Sequence, residues 1–158
     1  MPGVTKEAVA GIRNFARAES TVACGGATTP EALGEIRKMG FASVFNLRLA
    51  DEPGNDVAAE EAAAREAGLK FAHVPVNSAA LEPATAEAFL AAITAPGYQP
   101  AFIHCGGGGR AATMWFLKRL VVDGWDEEKA TAEATALGMG SGRVKEFVLE
   151  YARTHRRP

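Results

Sequence analysis

Apolar residues occur along the chain in two kinds of block. Short continuous blocks read as buried strands, and blocks with apolar positions three and four apart read as helix faces. The strand blocks are residues 21–24 (TVAC), 42–47 (ASVFNL), 69–76 (LKFAHVPV) and 101–104 (AFIH). The first is broken by Gly25-Gly26, and the third reads as a buried strand. Thr29 and Pro30 form an N-cap and first-turn proline. They open a helix to about residue 39, with Leu33, Ile36 and Met39 on one face and Gly40 at its end. Residues 56–67 are rich in alanine and acid, strongly helical by propensity, and stopped by Gly68. Residues 85–93 form a further helix. Three more are predicted at 110–122, 126–137 and 141–155, separated by glycines. Near the N-terminus, Val9, Ile12, Phe15 and Ala16 fall at helical spacing and predict a helix over 5–18. Loops are expected at 48–54 and 77–83.

Strands that alternate with helices predict an α/β fold: a mainly parallel central sheet flanked by helices. At 158 residues, with no internal repeat or dividing linker, one domain over 1–158 is expected.

Composition narrows the partners. The formal net charge is -2, and the hydrophobic fraction of 47% is ordinary for a globular protein. The only basic cluster is Arg153, Arg156 and Arg157, which suits a helix C-terminus. Neither nucleic acid nor a membrane is therefore an expected partner. The N-terminal residues have no apolar signal-peptide core, and no long apolar stretch occurs. Two cysteines, Cys24 and Cys105, make no disulfide scaffold and fit a reducing, cytoplasmic setting.

The chemistry lies after the last strand block, in His104-Cys105-Gly106-Gly107-Gly108-Gly109-Arg110. Ligands of α/β sheets bind beyond the carboxyl ends of the strands, where Cys105 falls. The next helix begins near Arg110, so its free N–H groups and positive dipole end face the same place. Four glycines let successive N–H groups converge into an anion nest. Arg110 adds a planar fork of donors suited to two oxygens of a phosphate or sulfate. A thiolate is itself an anion and is favoured in such surroundings. His104 alternates away from the cleft and reads as a supporting residue that holds the loop. The run lacks the lysine and hydroxyl of a Walker loop. No cofactor is implied, and neither cysteine has the histidine spacing of a zinc site.

With these residues in view, the chain resembles the cysteine-dependent protein tyrosine and dual-specificity phosphatase superfamily. It is most similar to a small bacterial branch related to the phosphatase-like domain of beta-lactamase hydrolase-like proteins. The likeness runs through Gly11–Phe15, Gly25–Glu31, Gly40–Arg48, Gly68-Leu69 with His73–Val76, His104–Arg110, and Asp123-Gly124-Trp125 with Glu128 and Ala130. The resemblance implies a phosphatase-type fold and a phosphoric monoester hydrolase acting on a phosphorylated small molecule or phosphoprotein. It implies Cys105 as the nucleophile of a phosphocysteine intermediate and Arg110 as the phosphoryl ligand. The amides of Gly106, Gly107, Gly108 and Gly109 complete the cradle.

The chain departs from the pattern in three ways. The span from cysteine to arginine is one residue shorter than in the main phosphatase families and equals that of rhodaneses. Ala111 and Ala112, not a hydroxyl residue, follow Arg110, and Thr113 comes next. No aspartate lies in the loop after the third strand, where Asn77 opens and Glu82 closes the segment. The general acid is expected from Asp51, with Glu82 second; Glu52 and Asp56 are the other loop carboxylates. Two further readings stay open: a rhodanese-like sulfurtransferase and a non-catalytic phosphate-binding module. Cys24 reads as a small buried residue or as a resolving thiol for Cys105. Arg48 reads as a salt-bridge residue or a substrate contact, and Trp115, Phe116 and Trp125 as core or interface.

Overall fold

The four strand blocks pair side by side, and their parallel pairing fixes where the site lies. The computed structural model, which describes residues 3–156, contains one six-stranded sheet. Its strands are β1 (Val4–Lys6), β2 (Ala16–Ala18), β3 (Val22–Gly25), β4 (Ser43–Asn46), β5 (Lys70–His73) and β6 (Ala101–His104). They lie in the order β1-β2-β3-β6-β4-β5. β3, β6, β4 and β5 run parallel, while β1 and β2 form an antiparallel edge. The helices are α1 (Leu33–Lys38), α2 (Val57–Ala67), α3 (Pro83–Ile93), α4 (Gly109–Val121), α5 (Glu127–Leu137) and α6 (Arg143–His155).

β6 occupies the middle of the parallel set, with Ala101 opposite Val22 of β3 on one side and Ser43 of β4 on the other. All four of its residues are buried. Side chains alternate between the two faces of the sheet. Phe102 packs with Phe15, Leu33, Ile36 and Val44 on the α1/α2 face. Ala101 and Ile103 pack with Phe45, Phe89, Trp115 and Phe116 on the opposite face. Coverage on both sides explains why these strands read as continuous apolar runs.

Two elements depart from the sequence pattern. Residues 5–18 are not a helix. Gly11 (φ +83°) and Asn14 (φ +55°) take left-handed conformations that no α-helix tolerates, and the segment folds back between β1 and β2. Ile12, Phe15 and Ala16 are buried all the same, by the hairpin-like return rather than by a helical face. The block at 69–76 yields only the four-residue edge strand β5, which is exposed to partly buried. Beyond it the chain leaves regular structure, although Val74 and Val76 still donate to Asn46 and Leu47 carbonyls.

The α6 terminus carries Arg153 in its last turn, and Arg156 donates to the Trp125 carbonyl; Arg157 lies outside the described residues. No helix among the described residues is long and apolar enough to cross a membrane.

Candidate active site

β6 ends at His104, and the alternation of its side chains divides the chemistry between two faces. Cys105 belongs to the α4 face and is 1% exposed. Its N–H donates to the Gly25 carbonyl at 3.1 Å, which continues the β3–β6 pairing one step past the strand. The loop is then tied down by its neighbours. Ala27 N donates to the Gly106 carbonyl at 2.8 Å, and Asn14 Nδ2 to the Gly107 carbonyl at 3.1 Å. A Cβ at Gly26 would stand 2.6 Å from the Gly106 carbonyl oxygen, so this close crossing requires glycine. Within the loop, Gly108 has φ +105° and caps α4 with no side-chain bond. Its N–H donates to Cys105 Sγ at 3.1 Å. Gly107, by contrast, faces open space.

Arg110 lies in the first turn of α4 and meets Glu52 from the 48–54 loop. The pair is bidentate: Nη1 to Oε2 at 2.7 Å and Nη2 to Oε1 at 2.9 Å. Nη1 also donates to the Val76 carbonyl at 3.1 Å. A guanidinium has five N–H donors. Glu52 and Val76 engage three of them, which leaves Nε–H and the second N–H of Nη2 without another protein oxygen partner among the described residues. Those two lie side by side on one edge of the guanidinium plane and form a second fork. Cys105 also interacts with the guanidinium. Glu52 is held in turn by Leu49 N (2.6 Å) and Arg48 Nε (3.3 Å). The Arg110 hydrogen bond, together with the Leu49 bond and the positive charge, lowers its carboxyl to a pKa of about 2, against the opposing effect of burial. Arg110 is raised above its ordinary value, chiefly by Glu52 and further by Cys105.

On the other face, His104 is fully buried and its Nε2 lies 2.6 Å from Glu60 Oε2 of α2. The carboxylate only accepts, which assigns a proton to Nε2. Nδ1 has no partner among the described residues. Glu60 Oε1 accepts from Asn46 Nδ2 at 3.0 Å, and the same amide nitrogen donates to Asn55 Oδ1 at 2.8 Å. Asn55 then donates to the Leu49 carbonyl at 2.9 Å. This chain joins the support of His104 to the loop that carries Glu52. His104 thus points away from the cleft and anchors the loop's first residue.

The remaining carboxylates separate clearly. Asp51 is exposed and makes no hydrogen bond among the described residues. Glu82 is the exposed N-cap residue of α3, and its side chain makes no capping bond. Among the described residues, neither makes a hydrogen bond or ion pair with Cys105 or Arg110. Asp56 caps α2 by accepting from Ala59 N at 3.0 Å. Asn77 accepts from Ala79 N in a local turn. The Thr113 hydroxyl donates to the Gly109 carbonyl at 2.7 Å, one turn back along its own helix. Arg48 proves to be a buried salt-bridge residue that also donates to the Pro53 carbonyl. Trp115 is core, with its indole N–H on Glu133. Cys24 is fully buried, and burial pushes its thiol well above the usual range, with the charges of Cys105 and Glu133 adding to the rise. A thiol so held is a poor attacking group, which favours its reading as a packing residue. Among the described residues, no group of three or more His, Cys, Asp or Glu is placed to hold a metal ion.

Glu60 and Asn14 were not visible as site residues in the sequence. The signal for Glu60 was a carboxylate four residues before buried Ala64, on the inward stripe of α2. Asn14 fell within the Gly11–Phe15 stretch of the resemblance, which gave it no role at the site.

A strand, a cysteine loop and a helix whose first turn holds the arginine together form a cysteine-loop oxyanion site. The chain belongs to the family described as beta-lactamase hydrolase-like protein, phosphatase-like domain, which it matches over residues 15–121. The beta-lactamase hydrolase-like protein of Xylella fastidiosa (strain Temecula1) is 37% identical over 112 residues, which is 68% of this chain. That stretch is 25% of the relative's length, so the chain corresponds to about a quarter of it. Among solved structures, a Shewanella putrefaciens CN-32 protein described as a candidate phosphatase superposes with a TM-score of 0.77 at 17% identity, covering 93% of this chain and 96% of that one. P. aeruginosa TpbA superposes at 0.68 with 19% identity, over 96% and 90% of the two chains. These likenesses establish the fold.

Proposed function

We propose that the chain hydrolyses phosphoric monoesters through a phosphocysteine at Cys105. The observation that carries this reading is the free edge of Arg110. Glu52 and the Val76 carbonyl engage three of its N–H groups, leaving Nε–H and one Nη2–H for an anion on a guanidinium that also interacts with the Cys105 side chain. Two phosphoryl oxygens match that fork. The uncapped first turn of α4 supplies further donors to the same anion, while the Gly108 N–H is aimed at the Cys105 sulfur itself.

In this reaction the Cys105 sulfur attacks phosphorus in line with the ester oxygen. The S–P bond forms as the P–O bond breaks, and the alkoxide or phenoxide leaves with a proton. Water then attacks the phosphocysteine, the S–P bond breaks, and phosphate departs with the thiolate restored. Arg110 carries the equatorial oxygens through both steps. Glu52 acts as a positioning residue. Its carboxyl, at about 2, is ionised at neutral pH and holds no proton to donate. The leaving-group proton is assigned to Asp51, which adjoins Glu52 in the loop that reaches Arg110; Glu82 is the alternative donor. The substrate is a phosphorylated small molecule or phosphoprotein, and the setting is cytoplasmic.

A parallel assay decides between phosphate and sulfur chemistry. The reading expects turnover of an aryl phosphate, reduced at least about 10³-fold by Cys105→Ser, and no thiocyanate from thiosulfate and cyanide. Thiocyanate formation with a persulfide on Cys105, and no phosphate release, overturns it. Phosphate binding that survives Cys105→Ser in a parent without turnover points instead to a binding module.

A further inference from the structure

A depression of about 460 Å³ opens beside Gly109 and Arg110, between the start of α4 and the start of α6. Its lining includes Arg110, Arg143, Lys145, Ser78 and Ser141, and no carboxylate. That is notable in a chain whose net charge is -2. Some cations of this protein are neutralised, such as Arg17 by Glu7, Arg48 by Glu52, Lys118 by Asp123 and Arg119 by Glu133, while others, such as Lys6, Arg13 and Lys38, have no ion pair among the described residues; Arg143 and Lys145 differ in sharing one concave wall. Among the described residues, neither Arg143 nor Lys145 has an ion pair or a side-chain hydrogen bond. The two serines are exposed and likewise make no side-chain hydrogen bond there. Two unneutralised cations at the mouth of a concave wall raise the local positive potential, and low-dielectric walls concentrate it. The hydroxyls add donors of the kind that phosphate oxygens accept.

We propose that this depression is a second anion subsite, which takes a second phosphoryl group of a small substrate while the first lies on the Cys105 loop. The preferred substrate class is therefore a small molecule carrying two or more phosphoryl groups, not a monophosphate. Arg110 lines both places, so it joins the subsite to the cradle. The inference rests on the reading of residues 105–110 as an oxyanion cradle, and it adds the chemistry of the substrate.

The test uses Cys105→Ser protein, so that binding is read without turnover. Inorganic phosphate and inorganic pyrophosphate are titrated by calorimetry at fixed ionic strength. Pyrophosphate is expected to bind at least about tenfold more tightly than phosphate. In the same background, Arg143→Gln with Lys145→Gln is expected to reduce that ratio to about threefold or less. Lys38→Gln with Arg65→Gln removes two exposed cations elsewhere and is expected to retain it. Equal affinity for the two anions, or a preference that survives loss of Arg143 and Lys145, overturns the proposal. So does a ratio that falls equally in the Lys38/Arg65 control. Aryl phosphate turnover without a pyrophosphate preference defeats the subsite alone. A preference that depends on Arg143 and Lys145, in a protein whose parent turns over no aryl phosphate, supports the subsite and defeats the hydrolase reading.

Discussion

Glu52 and Glu60 each hold a nitrogen-bearing side chain of the Cys105 loop, Glu52 at the rim with about 21% of its side chain exposed and Glu60 beneath the sheet at 3%. Glu52 receives four donors, two of them from Arg110, and orients a group that faces the cleft. Glu60 receives His104 and Asn46 and orients nothing that a substrate touches. The first pair shapes an anion site, and the second fixes the floor on which it stands. Similar chemistry gives different consequences because burial differs. Loss of a partner at the rim is compensated by water, whereas loss under the sheet is not. The two pairs should therefore separate cleanly in activity and stability measurements.

Arg110 carries the largest expected effect on activity. Arg110→Ala removes the preorganised fork and is expected to lower kcat/KM about 10²–10³-fold. Arg110→Lys keeps the charge but not the fork, and should recover only part of that loss. Full recovery by lysine would show that charge alone suffices. Glu60→Ala comes next and should act on stability. It leaves His104 Nε2 and Asn46 Nδ2 short of an acceptor, at a cost of roughly 2–4 kcal/mol. Thermal unfolding should then shift down by about 4–16 °C. An unchanged midpoint would remove Glu60 from the foundation.

Glu52→Gln should do the reverse, with about a tenfold loss in kcat/KM and a smaller change in stability. Its pH signature follows from its shift. The folded value of about 2 lies below the ordinary 4.5, so the pair's contribution is fully present above about 4.5. It is lost as pH falls through about 2. Solvent screening at the rim limits the contribution to roughly 1–2 kcal/mol. Acid titration of wild type against Glu52→Gln should converge at the low end of that window. Curves that stay parallel from pH 5 to 2 would assign the difference to packing. The smallest contrast lies within the loop. Gly108→Ala forces a Cβ into a left-handed residue and should cost about 1–2 kcal/mol, whereas Gly107→Ala should stay within about 0.5 kcal/mol.

The sequence made one of these two pairs partly legible and hid the other. Cys105, Arg110 and their flanks stood out because a strand, a glycine run and a helix start are all local patterns. His104 was placed correctly away from the cleft because alternation along a strand is also local. Glu52 was visible only as one of three carboxylates in its loop, and Asp51 was preferred because it lies closer to the strand end. What selects Glu52 is the approach of that loop to Arg110 across 58 positions of sequence. Glu60 was hidden in an alanine-rich helix whose propensity explained it without any partner. The error at residues 5–18 has a related cause. Four apolar positions at helical spacing are also compatible with a folded-back segment, and only Gly11 and Asn14 in left-handed conformations distinguish the two. The depression lined by Arg143 and Lys145 needs α6 placed beside α4, which no local pattern encodes.

The central claim is that Cys105 itself takes the phosphoryl group. Rapid acid quench during turnover of an aryl phosphate, followed by mass spectrometry of the peptide containing Cys105, tests it most directly. The account predicts a mass increase of one phosphoryl group on Cys105, formed and lost during turnover and missing from Cys105→Ser. Steady aryl phosphate hydrolysis that persists in Cys105→Ser would contradict it.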